Sequence, residues 1–314
     1  MALVVLRRLM AAVPALLGVS VIVFLLLSVL PGDPLVGLLA PDATQADRDL
    51  LAESLGLNAP LPVQYINWLT NIVQGDFGQS FSRSRPVSDV VGPAFYNTMI
   101  LAVTAALIGV TGGVLLGTVA ALKPGTWGDR LVSVISMTGL SIPSYWLAIL
   151  LVIAFSVKFQ WFPAAGMPRD NENFFNLLRY LTLPAVATAS VTIGMVARTT
   201  RASLIATYSK DFVLTLQAKG LRSWQILKHV WKNAAPAVMT VAGLQVGYLF
   251  GGSVLVEPIF SWPGLGQLIF QSISARDLRV IQASVLLIAV TFVLVNLVVD
   301  LLQVIVDPRL RRAK

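Results

Sequence analysis

Long runs of apolar residues, nearly free of charge, decide what this chain can fold into. A hydrocarbon core ~30 Å thick takes about 20 apolar residues per helix. Backbone polar groups inside it must be satisfied within the segment itself, so each run is a transmembrane helix. Six runs qualify: residues 9–30, 98–122, 131–157, 180–196, 236–256 and 281–306, the fourth being the least apolar. Only 12% of the 314 residues are charged, against about 25% in soluble domains. The predicted fold class is an all-α membrane protein of six transmembrane helices.

Charge orients the spans. Lys and Arg accumulate on the cytoplasmic side of short loops. With both termini placed inside, fifteen of the 23 Lys and Arg residues fall in cytoplasmic segments: Arg7, Arg8, Lys123, Arg130, seven between residues 198 and 232, and four in the tail. The net charge of +8 is accounted for by this bias and calls for no nucleic acid. The first apolar run is long and lacks a small-residue cleavage site after it, which argues against a removable signal peptide.

Two segments between spans are too long to be connectors. The outer one, residues 31–97, is acidic on balance. It holds amphipathic stretches at 45–57 and 63–73, bounded by Pro60, Pro62 and Gly75, and is predicted to form a small helical cap. The inner one, residues 198–235, carries Arg198, Arg201, Lys210, Lys219, Arg222, Lys228 and Lys232 against the single acid Asp211. Its pattern predicts two short helices, 208–219 and 224–233, broken at Gly220. Such a segment either lies on the membrane surface or inserts an apolar face into a cytoplasmic protein.

Two spans carry glycines at every fourth position: Gly109, Gly113 and Gly117, then Gly243, Gly247 and Gly251. That spacing puts them on one helix face, where another backbone can approach closely. It serves packing within the chain, or a subunit interface or moving surface. Gln245 and Tyr248 beside the second stripe, with Ser253, Ser141 and Ser144, are candidate wall groups of a pathway: polar, uncharged, and unable to trap a charge.

Several function classes are excluded or disfavoured. There is no Cys and one His, His229, so neither thiolate nor multi-histidine metal sites exist. No Gly-Lys pair occurs, so no phosphate-cradling loop does either; any ATP is bound by a partner. Asp300 is the one acid within the six apolar runs, too little for a proton-coupled route. No Ser-His-Asp arrangement is evident.

The run Thr215-Leu216-Gln217-Ala218-Lys219-Gly220-Leu221 resembles the cytoplasmic coupling motif of ABC importer permeases, in the dipeptide, oligopeptide and nickel branch. The same branch is matched by Arg7-Arg8-Leu9, Pro31-Gly32-Asp33-Pro34, Pro60-Leu61-Pro62-Val63-Gln64-Tyr65 and Gly75-Asp76-Phe77-Gly78-Gln79-Ser80. Further along come Ile142-Pro143-Ser144-Tyr145-Trp146, the run from Glu257 to Gly266, Arg276-Asp277 and Asp307-Pro308-Arg309. The likeness runs through nearly the whole chain, in a shared order. It departs at Leu214, Thr215 and Leu216, where the broad pattern has Glu-Ala-Ala, and at Ala235-Pro236, slightly closer to the glycine than usual.

The resemblance implies a six-span type I permease subunit in the bacterial inner membrane, with no catalytic residues and no cofactor of its own. ATP and Mg would be bound by two ATPase subunits gripping Asp211, Thr215, Ala218, Lys219, Gly220 and Leu221. A second, homologous permease would complete a heterodimeric pathway, and a periplasmic or lipid-anchored binding protein would deliver substrate. The implied cargo is di- or oligopeptides, with nickel chelates, glutathione, opines or oligosaccharides as alternatives. A stand-alone secondary transporter is the remoter alternative. The organisation that follows is 1–30 N-terminus and first span, 31–97 cap, 98–306 five-span core with the coupling segment at 202–235, and 307–314 tail.

Overall fold

The computed structural model describes residues 2–29, 44–54, 58–168 and 173–306. Pro31–Pro34, the end of the 45–57 stretch, the side chain of Asp300 and the 307–314 tail lie outside the described residues.

The chain runs through α1 (Ala2–Val29), α2 (Gln45–Ser54) and α3 (Leu61–Val73), then a short antiparallel hairpin, β1 (Gln79–Ser80) and β2 (Arg85–Pro86). It continues through α4 (Val87–Leu122), α5 (Trp127–Ser141), α6 (Ser144–Leu151) with a π-helical extension Val152–Lys158, and α7 (Phe174–Tyr208). The rest is α8 (Asp211–Ala218), α9 (Ser223–Ile259), α10 (Leu265–Ser274) and α11 (Leu278–Val306).

Among the described residues α4, α7, α9 and α11 are each long and apolar enough to cross a membrane, and the bent α5–α6 pair, counted as one span, makes a fifth candidate. The described apolar part of α1, Met10–Leu25, is shorter. The expected single span at 131–157 is corrected by the structure: its two halves meet at 108°. Pro143 is the cause. It has no N–H to donate, and its ring pushes Ile142 out of the helical region to φ −85°, ψ 122°.

α4 begins at Val87, well before the expected start at residue 98, so residues 87–97, expected in the cap, continue the helix of the second apolar run. The first of the two short helices predicted in the basic segment is α8. The second is not separate: residues 224–233 are the opening turns of α9, which runs unbroken past Pro236.

α7 is the hub, packed by α4, α5, α6 and α9. Small residues permit this. A Cβ added to Gly113 would stand 2.6 Å from Val196 Cβ, and one on Gly109 would stand 2.7 Å from Thr192 Cγ2. Gly117 meets Thr200 Cβ at 2.7 Å in the same sense. With apolar solvent around it, a membrane bundle gains little from hydrophobic exclusion and is held by such close van der Waals fit. The core is accordingly several small clusters along α7 rather than one. The outward faces stay apolar, as Val103, Leu107, Leu115 and Val119 do on α4.

Candidate functional site

α8 occupies the turn between α7 and α9 at the basic end of the bundle. Val213 is buried, with Phe212 and Leu216 half-buried, in a cluster formed by Ala121 of α4, Leu204 of α7, and Ile226, Val230 and Ala234 of α9. Three spans therefore grip one side of a helix only eight residues long. A helix that short is marginal alone in water, so its orientation is inherited from the spans. The other side, with Asp211, Leu214, Thr215, Gln217, Ala218 and Lys219, is exposed.

The end of α8 is set by Gly220. Its N–H donates to the Gln217 carbonyl at 2.9 Å, and the N–H of Leu221 donates to the Leu216 carbonyl at 3.2 Å. This pair of bonds is the Schellman ending, which needs a left-handed residue. Gly220 supplies φ +75° without a Cβ penalty. Leu221 folds back on the same cluster as Leu216. Arg222 then opens α9, its N–H donating to Gln225 Oε1 at 2.9 Å. The six coupling candidates are thus brought together: Asp211, Thr215, Ala218, Lys219 and Gly220 are exposed and Leu221 is half-buried beneath them.

One ion pair braces this end. Asp129, 5% exposed, accepts from Arg201 Nη2 at 2.8 Å and from Arg201 Nε in a fork. Its Oδ2 also accepts from the Gly125 N–H at 2.8 Å. The α4–α5 turn is so tied to α7 upstream of α8. Arg201 reads in the sequence as one loop charge among seven, and Asp129 as a loop acid. Nothing in their spacing pairs them.

The pathway candidates separate. Tyr248 is 60% exposed, its ring 5.8 Å from that of Phe292, and Ser141 is exposed at the α5–α6 break. Gln245 is 8% exposed. Ser253 is fully buried and donates to the Phe250 carbonyl at 3.0 Å, so it offers no surface to a solute here. The glycine stripe on α9 divides as well. Gly243 lies against Val299, and a Cβ on Gly247 would stand 2.9 Å from Asn296 Nδ2, but Gly251 has no neighbour within 4 Å. The expected packing stops short of Gly251, which sits on an exposed face.

At the opposite end a buried carboxylate knits three helices. Glu257 accepts from Thr98 Oγ1 at 2.8 Å and from the Gly266 N–H at 2.6 Å, and Thr98 Oγ1 accepts from the Leu265 N–H at 2.8 Å. Trp262, fully buried, donates from its indole to the Asn97 carbonyl at 3.0 Å. Any Cβ on Gly264 would meet Glu257 Oε2 at 2.5 Å, so the glycines of this turn serve close approach rather than phosphate. Asp277 performs the same task for the hairpin, accepting from Ser80 Oγ at 2.6 Å and Ser82 Oγ at 2.8 Å. Glu257 stands in the sequence only as the first residue of the matching run 257–266, just past the apolar stretch, and its bonding partners are not evident there.

The geometry is that of a scaffold presenting one short helix, α8, and comparison with known proteins places that scaffold in a family. Residues 113–312 match the family described as the binding-protein-dependent transport system inner membrane component, and residues 1–102 match its N-terminal companion. The glutathione transport system permease protein GsiC of Salmonella typhimurium strain LT2 is 40% identical over 308 residues, covering 98% of each chain. Its counterpart in Escherichia coli K12 is 39% identical over the same length. Among solved structures, a chain of the MetNI methionine ABC transporter in an inward-facing conformation aligns with TM-score 0.56 and 18% identity. That alignment covers 69% of this chain and 96% of the other, and it bears on the fold alone. The chain therefore belongs to the inner-membrane components of binding-protein-dependent transport systems, in the peptide and nickel branch of the ABC importer permeases, as a non-catalytic permease subunit.

Proposed function

We propose that this subunit forms, with a second homologous permease, the membrane pathway through which short peptides, glutathione among them, are imported at the expense of ATP. The observation that carries the reading is α8, an exposed helix whose inner face is fixed to α4, α7 and α9. A pull on it is transmitted to three spans at once. Two ATPase subunits would each grip one such helix, through Asp211, Thr215, Ala218, Lys219, Gly220 and Leu221 here. Closing the ATPases would then tilt the two permease halves as rigid bodies, giving alternating access.

The membrane placement completes the proposal: six spans, both termini cytoplasmic, and the cap and hairpin outside to meet a substrate-binding protein. The surplus of Lys and Arg at the α8 end supports that orientation. A pathway for peptides of varied sequence should be roomy and bind weakly, leaving selection to the binding protein. Tyr248 and Ser141, polar and uncharged on exposed faces, suit backbone amides without holding a charge.

Glutathione heads the substrates because the relatives that match along nearly the whole chain are named for its transport. The test is uptake into proteoliposomes containing this chain with its co-purifying permease and ATPases, binding protein outside and ATP inside. Labelled glutathione, a dipeptide and a nickel chelate are compared. ATP-dependent accumulation of glutathione or the dipeptide supports the proposal; accumulation of the chelate alone overturns the substrate assignment, and uptake that ignores ATP overturns the importer.

A further inference from the structure

We infer that α3 is not part of a water-exposed cap but lies in the outer face of the bilayer, with half of its apolar side covered by α1 and the other half by lipid. Three observations converge on a lipid occupant, and they go beyond the transport reading.

The first is where α3 touches α1. The Tyr65 hydroxyl hydrogen-bonds Ser20 Oγ at 2.7 Å, and the Tyr65 and Trp68 rings sit 5.5 and 5.7 Å from that of Phe24. α1 continues to Val29. At ~1.5 Å rise per residue, Ser20 and Phe24 lie about 14 and 8 Å along the helix from that end. No charged residue occurs between Arg8 and Asp33, so these contacts fall within the hydrocarbon-spanning run. They are made by side chains reaching down from a helix at the boundary. An interfacial helix buries its apolar face ~5–10 Å into the headgroup and acyl boundary, from where long Tyr and Trp side chains reach residues of this run.

The second is the pattern on α3. At ~100° per residue, Trp68, Ile72 and Tyr65 form one arc that continues directly into Leu69, Val73 and Ile66. Asn67, Thr70 and Asn71 occupy the opposite side. α1 covers the first part of the apolar arc. The second part is left open: Ile66 is 60% and Val73 80% exposed, and no residue of α3 is buried. The span that α3 packs on, α1, is itself apolar where it is exposed, at Leu17, Val21 and Leu25 among others.

The third is charge. Residues 54–75 contain none. A helix built to bind a soluble protein or to face water would carry charge on its outer side; one lying at the level of uncharged acyl chains has no use for it. Tyr65 and Trp68 are the residue types that collect at this boundary.

This chain lacks Cys, so a single-cysteine variant of it, spin-labelled before assembly with its partners, carries the label at one place only. Ile66→Cys and Val73→Cys report the open apolar arc; Asn67→Cys and Asn71→Cys report the polar side. Collision rates are read for the intact transporter in liposomes, with oxygen as the lipid-soluble relaxant and a nickel chelate as the aqueous one. The expected result is a several-fold higher oxygen-to-nickel ratio at 66 and 73 than at 67 and 71. Equal ratios at all four sites, or nickel access at 66, would return α3 to water and overturn the inference. Low access to both relaxants at 66 and 73 would mean that a protein subunit covers the face, and would overturn it equally.

Discussion

Replacing Gly220 tests the proposed coupling role of α8 without touching the membrane core. The residue sits at φ +75°, and nothing stands within 4 Å of the place a Cβ would occupy. A side chain here meets no clash, so the whole penalty is conformational. An L-residue other than Gly or Asn in the left-handed region costs roughly 1–2 kcal/mol. That amount shifts the balance between the capped and uncapped ends of α8 by a factor of about 5–30. The affected bonds are those from the N–H groups of Gly220 and Leu221 to Gln217 and Leu216. Their loss frees Leu221 from the cluster that orients α8. Gly220→Val should therefore lower the ratio of substrate transported to ATP hydrolysed in proteoliposomes, with membrane abundance unchanged because α7 and α9 keep their packing. Gly220→Ala should fall between Val and wild type, and Gly220→Asn should lie near wild type, since Asn visits this region at little cost. A wild-type ratio in Gly220→Val would refute the reasoning. So would equal losses in Val and Asn, because side-chain chemistry and not φ would then be responsible.

Two further outcomes follow from the packing. Gly113→Leu should destabilise the purified chain by about 1–3 kcal/mol, seen as a lower midpoint in detergent thermal unfolding, whereas Gly251→Leu, with no neighbour within 4 Å, should leave it unchanged; equal midpoints would contradict the α4–α7 contact. Asp129→Asn keeps the acceptor for the Gly125 N–H but removes the charge facing Arg201, which is 34% exposed. After allowance for that exposure the loss is about 1–2 kcal/mol, and a double-mutant cycle with Arg201→Gln should show coupling, whereas strict additivity would mean the pair contributes nothing.

What the sequence discloses here depends on the scale of the signal. Apolar runs are long and redundant, so the helices of the bundle are legible, and so is Gly220, because one glycine in a polar segment between amphipathic stretches has few uses. The glycines of α4 are legible as a packing face for the same reason, though not that the partner is α7. The break at Pro143 is hidden in an unbroken apolar run, since hydropathy says nothing of backbone direction. The extension of α4 back to Val87 is hidden because Ser88, Asp89, Tyr96 and Asn97 interrupt the apolar pattern before it becomes continuous. The bonding roles of Glu257 and Asp129 are illegible for a different reason. Each owes its meaning to groups far off in the chain, Thr98 in one case and Arg201 in the other, and a lone acid at the end of an apolar run reads as an ordinary boundary charge. Ser253 shows the converse: a polar residue in a span that binds its own helix backbone at Phe250 and needs no pathway to explain it.

The central claim is that α8 is where an ATPase takes hold of this subunit. The most direct measurement places a photo-crosslinking amino acid at Ala218, on the exposed side of α8, in the transporter as it exists in its own membrane. The crosslinked partner is then identified. The account predicts an adduct with a nucleotide-binding ATPase subunit, lost when the probe is moved to Val213 on the buried side. An unchanged yield at Val213, or a probe at Ala218 that reaches only lipid or the solvent, would contradict it.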